Sequence, residues 1–446
     1  MILQELLRLK LIPLAKTSFV FGRTFFLVSC FGPFKELKYQ IEESWDDTSY
    51  DISNPLPLSE IPNPFSPNII FSGSFGDDSS RNFTLVYLNN HISYASQTGL
   101  VTSFSLEKNS ITWSYSHNQV ITSGISGFED NLFFVDYDGY LICISSSGSI
   151  KWKSFVGEII SPPLAIKNIV IVRSTNNNFI ALNNIDGSVV WNYKVPSSPL
   201  PIRSWGEIVE SDNIIYSGIS SGKVIAINAS NGLLVWESTF SAPQGISEIE
   251  RSNDTTSKII IDDYAIYAVS SKGNISAITK LDGKILWSRP LSSFQGMDEV
   301  DDSLIVTHNS GSIYRIAKDI NKVLWRNAEL LGRDISRPFV LNGYVIVSDY
   351  EGYIHFLNKS NGKIESRIKL SDSPLLKPVK ISNEIFAASS IKGDFIIISL
   401  AEVNYKKNKF DNEKLDSVEE ISTNSSDKDS TEKDDESLID ALIFWD

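Results

Sequence analysis

Between residues 76 and 400 the chain is a succession of short apolar runs set apart by turn residues. Phe179-Ile180-Ala181-Leu182 and Val224-Ile225-Ala226-Ile227 are examples. Their periodicity predicts strands, with alternation between a buried and a solvated face. Tryptophan marks the frame in which the runs recur. Trp113, Trp152, Trp191, Trp236, Trp287 and Trp325 follow one another at 39, 39, 45, 51 and 38 residues. Trp152, Trp191, Trp236 and Trp287 each lie four residues after a glycine (Gly148, Gly187, Gly232, Gly283). Asn109 and Asn321 take that place before Trp113 and Trp325. Asparagine is the side chain that best tolerates positive φ in a tight hairpin. Upstream of each of these turns stands another turn residue: Gly99, Gly139, Asn177, Gly222, Gly273 and Gly311.

A seventh copy runs from Gly352 through Gly362, with Ser366 in the tryptophan place, and an eighth begins at Gly393 and stops after one strand. Each unit reads as strand, turn, strand, Gly/Asn turn, strand ending in Trp, and a linking strand to the next unit. Four strands in about forty residues is the size of a propeller blade. The expected fold is therefore all-β, an eight-bladed β-propeller of four-stranded antiparallel blades over residues 68–403. The truncated last repeat lacks an outer strand, so a strand within 68–75 must complete it and close the ring, which removes the exposed edges. The tryptophans are expected to fill the widening gap between neighbouring blades.

Length alone, 446 residues, would suggest two or three domains; one closed ring replaces them. The ends differ from the middle. Residues 1–30 carry Arg8, Lys10, Lys16 and Arg23 against Glu5 and finish in Leu27-Val28-Ser29-Cys30. This order of basic region, apolar region and small residues before a cysteine is that of an export signal, and it matches the lipobox in which the cysteine, here Cys30, is lipidated. Residues 31–67, acidic and then proline-rich, suit an extended tether. Residues 404–446 are a Ser-, Asp-, Glu- and Lys-rich tail expected to be disordered, with an apolar end at Leu438–Trp445. The net charge of −14 disfavours nucleic acid as a partner. Most of that charge lies outside the repeats: +3 on residues 1–30, −5 on 31–75, −8 on 401–446, and only −4 on the ring. Cys30 and Cys143 exclude a disulfide framework or a cysteine metal site, and His91, His117, His308 and His355 occur singly.

The unit in Ala226-Ile227-Asn228-Ala229-Ser230-Asn231-Gly232-Leu233-Leu234-Val235-Trp236 resembles the PQQ-type propeller repeat, a superfamily of quinoprotein dehydrogenases and non-catalytic members. From Cys30 to about Leu400 the chain resembles one non-catalytic family, the outer-membrane β-barrel assembly lipoproteins (BamB). The match rests on Pro199-Leu200-Pro201-Ile202-Arg203, on Gly245 to Asp254 (Gly-Ile-Ser-Glu-Ile-Glu-Arg-Ser-Asn-Asp), and on Ser348 to His355 (Ser-Asp-Tyr-Glu-Gly-Tyr-Ile-His). The resemblance implies a scaffold of the barrel-assembly (BAM) complex, lipid-anchored on the periplasmic face of a bacterial outer membrane. Its partner would be the POTRA domains of BamA, bound through Leu200, Ile202, Arg203 and Asp254, with outer-membrane protein clients also within reach. A second acid of the family pattern is replaced here by Thr256. The resemblance also supports Cys30 as the anchor.

Spacing draws attention to the same segments independently. From each Trp to the next repeat's turn residue the distance is 24 to 27 residues, but 31 from Trp191 to Gly222 and 37 from Trp236 to Gly273. Insertions at one place in consecutive blades project from one face, where repeat proteins bind partners. Arginine beside exposed Leu and Ile is suitable interface chemistry. The bland alternatives are that Arg203 only ties blades together, or that the propeller serves another partner. An enzyme of the quinoprotein type would need a calcium cage, an acidic base and groups sandwiching a quinone. The Asp298-Glu299-Val300-Asp301-Asp302 run reads instead as a solvated turn, and His355, within a strand, as a structural histidine. No metal, no cofactor and no catalysis are expected.

Overall fold

The computed structural model describes residues 54–76, 78–80, 83–195, 206–242, 253–255 and 257–401. Its strands form eight separate four-stranded antiparallel sheets. Blades 1 to 7 occupy residues 86–116, 126–155, 164–194, 209–239, 260–290, 296–327 and 339–369. In each, the first strand is innermost, since first strands of successive blades touch one another around the axis. Blade 8 takes three strands from residues 379–399 and its outer strand from Asn68–Ser74, which pairs antiparallel with Asp394–Ser399 (Asn68 opposite Ser399, Ser74 opposite Asp394). The expected closure is therefore observed, at the expected residues.

The strand pattern differs from the expected alternation, for a physical reason. Third strands such as Lys223–Asn228 and Asn178–Asn183 are buried at four consecutive positions. A blade is covered on both faces by its neighbours, so its middle strands are apolar without interruption. Alternation is confined to the outer strands, as in Leu234–Thr239, where the tryptophan is the buried position. The core accordingly lies between blades. Phe133, Val135, Leu141 and Cys143 of blade 2, for example, pack on Val170, Val172, Ile180 and Leu182 of blade 3 with Trp152 between them. Burial pushes the Cys143 thiol up to about 12, which leaves it an inert packing group.

Each of the six repeat tryptophans performs the same task. The indole Nε1 of Trp113, Trp152, Trp191, Trp236, Trp287 and Trp325 donates to the backbone carbonyl of Ser146, Asn184, Ala229, Lys280, Lys318 and Lys359 of the next blade, at 2.6–3.1 Å. In five of the six the ring also lies against that blade's turn glycine (Gly148, Gly187, Gly232, Gly283, Gly362), whereas blade 6, which receives Trp287, has Asn321 at that place. Gly232 has φ +71, and a Cβ built there would meet the Trp191 ring at 2.7 Å. Glycine is thus required twice, for the turn and for the close approach. Across each hairpin the tryptophan faces a small residue where the unit is regular: Ala181, Ala226 or Ala277. Blade 7 inverts the pair, with Phe356 opposite Ser366, so the volume is kept.

Ser366 has a second compensation. The chain before the ring lies along blade 7: Leu56 N donates to Leu331 O at 3.0 Å, and Ser366 Oγ donates to Phe65 O at 2.5 Å. The Phe65 ring packs on Tyr344 and Phe356 at centroid distances of 4.9 and 5.6 Å, beside the position that lacks an indole. Arg333 donates to Leu56 O and Arg367 to Ser59 O, both at 3.1 Å, so the described part of the proline-rich segment is held to the ring. The same arginines belong to a buried cluster. Asp349 Oδ2 accepts from Arg333 Nε at 2.8 Å and pairs with His355 Nε2 at 3.1 Å, while Arg367 Nε donates to His355 Nδ1 at 3.0 Å. Those two contacts fix the neutral His355 with its proton on Nε2. Burial holds its pKa below the ordinary histidine value, and Asp349 opposes that shift. His355 is thus the structural histidine expected, and the Ser348–His355 motif secures the strap and blade 7.

Truncating one of these rings tests the arrangement. Trp191→Ala should lower the free energy of urea unfolding by about 3–5 kcal/mol, the cost of removing a buried aromatic side chain. A loss below about 1 kcal/mol would show that the contact does not join the blades.

Candidate functional site: the insert face and the channel mouth

Strand order and direction place two kinds of segment on one face of the ring. The turns between second and third strands (Gly139, Gly222, Gly273, Gly352) lie there, and so do the connections that carry the chain from an outer strand back to the next inner strand. The two stacks are bonded to each other: Phe240 N and Ser241 N donate to Gly222 O at 3.0 and 3.1 Å, and Leu291 N to Gly273 O at 3.1 Å. Both long inserts are connections of this kind, after blades 3 and 4.

Of the residues singled out from sequence, Leu200, Ile202 and Arg203 lie outside the described residues, as does Cys30. Asp254 is described and is 2% exposed. Its carboxylate accepts from Ser221 N at 2.9 Å, its own N–H donates to Ser271 Oγ at 3.2 Å, and its carbonyl accepts from Ser271 N at 2.9 Å. Residues 253–255 therefore thread between the Ser221 turn of blade 4 and the Ser271 turn of blade 5. Asn253 completes the seam by donating from Nδ2 to Ser241 O and Oγ, each at 2.9 Å. Thr255 sits so close to Gly218 that a Cβ there would meet its methyl group at 2.1 Å.

Below that seam lies Arg173, at the end of a blade 3 strand and 3% exposed. Its Nη1 donates to Ser217 Oγ at 3.1 Å and to Gly218 O of blade 4. Burial pushes its guanidinium down to about 10, with the Asp254 charge acting in the opposite direction. Arg173 gave no sequence signal apart from a cation ending an apolar run, Ile169–Arg173.

The inserts lead into the axial channel. Glu207, Lys258, Arg337 and Lys377 each stand two residues before an inner strand, in blades 4, 5, 7 and 8. Their side chains meet across the axis. Glu207 lies 3.4 Å from Arg337, 3.3 Å from Lys377 and 3.9 Å from Lys258. Burial would raise the Glu207 carboxyl, but the Lys377, Arg337 and Lys258 charges more than reverse this and hold it at about 2. Burial pushes Lys377 down to about 8; Arg337 and Lys258 add to the shift and Glu207 resists it. The Asp298–Asp302 run is not wholly the solvated turn expected. Asp298, Glu299 and Val300 belong to the inner strand Gly296–Val300, and only Asp301 and Asp302 make the turn. The hairpin closes later than acidity suggests because Asp298 Oδ2 is engaged, accepting from Val340 N of blade 7 at 2.9 Å. Among the described residues, no group of three or more His, Cys, Asp and Glu is arranged to hold a metal ion.

The depressed Glu207 pKa sets a pH dependence. A carboxyl whose pKa is lower when folded stabilises the fold above its ordinary value of 4.5, and that contribution is lost as pH falls from 4.5 toward 2. Glu207→Gln should therefore cost about 3 kcal/mol at pH 7 and progressively less below pH 4.5. Paired unfolding curves of variant and parent at pH 7 and pH 3 check this; an equal cost at both values would contradict it.

Known proteins place the fold in context. The family model described as "Outer membrane protein assembly factor BamB" matches residues 97–327. The protein of that name from Bordetella pertussis is 27% identical over 358 residues, which cover 80% of this chain and 92% of the relative. The crystal structure of BamB from Moraxella catarrhalis superposes with a TM-score of 0.70 at 22% identity, covering 75% of this chain and all of that one. A quinohemoprotein alcohol dehydrogenase from Comamonas testosteroni shares the ring at a TM-score of 0.62 and 10% identity, covering 74% of this chain and 76% of that one. Those two structures speak for the fold, whereas the family match spans more than half the chain and includes the last two strands of blade 1 and all of blades 2 to 6. This chain belongs to the BamB family of outer membrane protein assembly factors.

Proposed function

We propose that the chain is a non-catalytic scaffold of outer-membrane β-barrel assembly, recruiting the assembly machinery through the insert face. The observation that carries this is the placement of two long connections, after blades 3 and 4, on one face of a ring of this family. In this reading Leu200, Ile202 and Arg203 of the first insert contact the POTRA domains of BamA. Asp254 belongs to the second insert, with its carboxylate holding the Ser221 turn in place. An arginine among aliphatic side chains supplies the desolvated anchor that partner surfaces use. The ring works at the periplasmic face of the outer membrane, and lipidation of Cys30 tethers it there.

The quinoprotein reading has the shared fold in its favour and nothing more specific, because fold does not fix activity. Buried apolar runs and seams of serine hydroxyls occupy the interblade space, which suits a scaffold.

Capture of the full-length chain by immobilised BamA POTRA domains tests the partner. Arg203→Glu should weaken capture at least about tenfold, as loss of an interface anchor does. Capture unchanged by that substitution would remove the insert face from the interaction. Radiolabelled palmitate tests the anchor: incorporation should occur in the parent and vanish in Cys30→Ser. Stoichiometric uptake of pyrroloquinoline quinone with calcium, followed by absorbance, would overturn the non-catalytic assignment.

A further inference from the structure

We propose that the rim of blades 3 to 6, on the face opposite the inserts, is a docking surface for the chain's own apolar segment Leu438–Trp445. This goes beyond recruitment of a partner through the inserts and does not depend on it. The third hairpin of each blade, between its third and outer strands, turns on the face away from the inserts. In blades 3, 4, 5 and 6 these hairpins carry Ile185, Leu233, Leu281 and Ile320, which are 77%, 65%, 87% and 64% exposed. Exposed aliphatic side chains such as Val190 and Leu286 follow in the outer strands. The equivalent turns of blades 1, 2 and 7 read Glu107-Lys108-Asn109-Ser110, Ser146-Ser147-Gly148-Ser149 and Ser360-Asn361-Gly362-Lys363, with no aliphatic residue. A single exposed aliphatic is ordinary on a protein surface. One at the same place in four consecutive blades makes an apolar band along one arc of the ring, and such bands mark interaction sites.

The path of the chain selects the occupant. The third strand of blade 8, Asp394–Ser399, runs toward this same face. Beyond it, Leu400 N donates to Glu384 O at 2.8 Å, and Asn342 Nδ2 donates to Leu400 O at 3.1 Å. Glu384 and Asn342 stand in the first hairpins of blades 8 and 7, which turn on the face of the third hairpins. The chain therefore leaves the ring at Ala401 on the side where the aliphatic hairpins lie. Residues 402–437 precede Leu438. Even as a coil, a stretch of that length spans about 33 Å r.m.s., whereas an outer strand stands only about 14 Å outside the inner strand of its blade. Within Leu438-Ile439-Asp440-Ala441-Leu442-Ile443-Phe444-Trp445 the one charged side chain is Asp440. Docking removes two apolar surfaces from water, and the covalent tether makes the event intramolecular. Charge does not drive it. Beside the hairpins Lys280, Lys284 and Lys318 are paired with Asp212, Asp282 and Glu299 at 2.6, 2.6 and 2.9 Å.

The test is photocrosslinking of the full-length chain with p-benzoylphenylalanine in place of Phe444, followed by peptide mapping. An equal mixture of unlabelled and heavy-isotope-labelled chains separates adducts within one chain from adducts between two. The expected result is adducts within one chain, to peptides carrying Ile185, Leu233, Leu281 or Ile320, with a yield that high salt does not lower. Leu233→Ser/Leu281→Ser should reduce that yield at least about threefold, since burial of one leucine is enough to shift an equilibrium about tenfold. Circular dichroism verifies folding, and Ile185→Ser/Ile320→Ser replaces the first variant if that one fails to fold, with the same fall expected. Adducts joining a labelled to an unlabelled chain would make a second copy the occupant and overturn the proposal. Flotation with vesicles of phosphatidylethanolamine and phosphatidylglycerol, lost in Leu233→Ser/Leu281→Ser, would make a lipid surface the occupant and overturn it too. So would adducts confined to the insert face, no adducts at all, or a yield unchanged in the folded variants.

Discussion

The contact of an indole ring with the turn glycine of the following blade is the constraint on which the rest of this structure depends. It sets the distance between blades, because the ring fills the gap that widens away from the axis. It sets their register, because the indole N–H reaches one backbone carbonyl in the neighbouring turn, as Trp191 reaches Ala229 at 2.8 Å. It also explains why the turn residue is glycine in so many copies: positive φ and close approach of the ring coincide at Gly187, Gly232, Gly283 and Gly362. A blade has no core of its own. Its middle strands are buried only by neighbours, so the ring is stable as a whole or hardly at all.

Where the contact is missing, the surrounding chain changes. Blade 7 has Ser366 at the tryptophan place, and the adjustments found there are specific to it: Phe356 opposite Ser366, Phe65 against Tyr344 and Phe356, and the strap bonded through Arg333 and Arg367. The strap leads directly into Asn68–Ser74, the strand that completes blade 8. Ring closure and the blade 7 repair are consecutive on one stretch of chain. The segment that joins the ring's last blade to its first thus also stabilises its most irregular neighbour.

Much of the ring was legible because turn chemistry is local. Gly or Asn four residues before Trp fixes a hairpin wherever it occurs, and the truncated eighth copy announced the strand at 68–75. What was illegible depended on distance around the circle. Glu207, Lys258, Arg337 and Lys377 are dispersed over some 170 positions, in connections of unequal length, and no spacing rule links them. They meet only because each precedes an inner strand, a boundary that the sequence does not mark. Asp298 and Glu299 were read as turn because acids are common in turns; a hydrogen bond from another blade keeps them in a strand. For Asp254 the sequence showed a loop residue of interest but not its burial, since its partners Ser221 and Ser271 come from two turns that serine does not distinguish from others. Leu200, Ile202, Arg203 and Cys30 lie outside the described residues.

Why variation concentrates on one face follows from the same constraint. Within a blade, the first hairpin is held by pairing around the axis, the second by bonds to the connection above it, and the third by the indole of the preceding blade. The connection from outer to inner strand alone has no fixed length, because its ends are set but its path crosses open surface. Added residues there cost little, since loop-closure entropy grows slowly with length. Such additions always emerge beside the channel mouth, because the connection ends where an inner strand begins. Glu207 and Lys258 follow the two inserts closely in sequence and also face the axis. Whatever orders the inserts must therefore act within a few residues of the Glu207 ion-pair cluster, so a partner surface built on the inserts cannot be physically remote from the channel mouth.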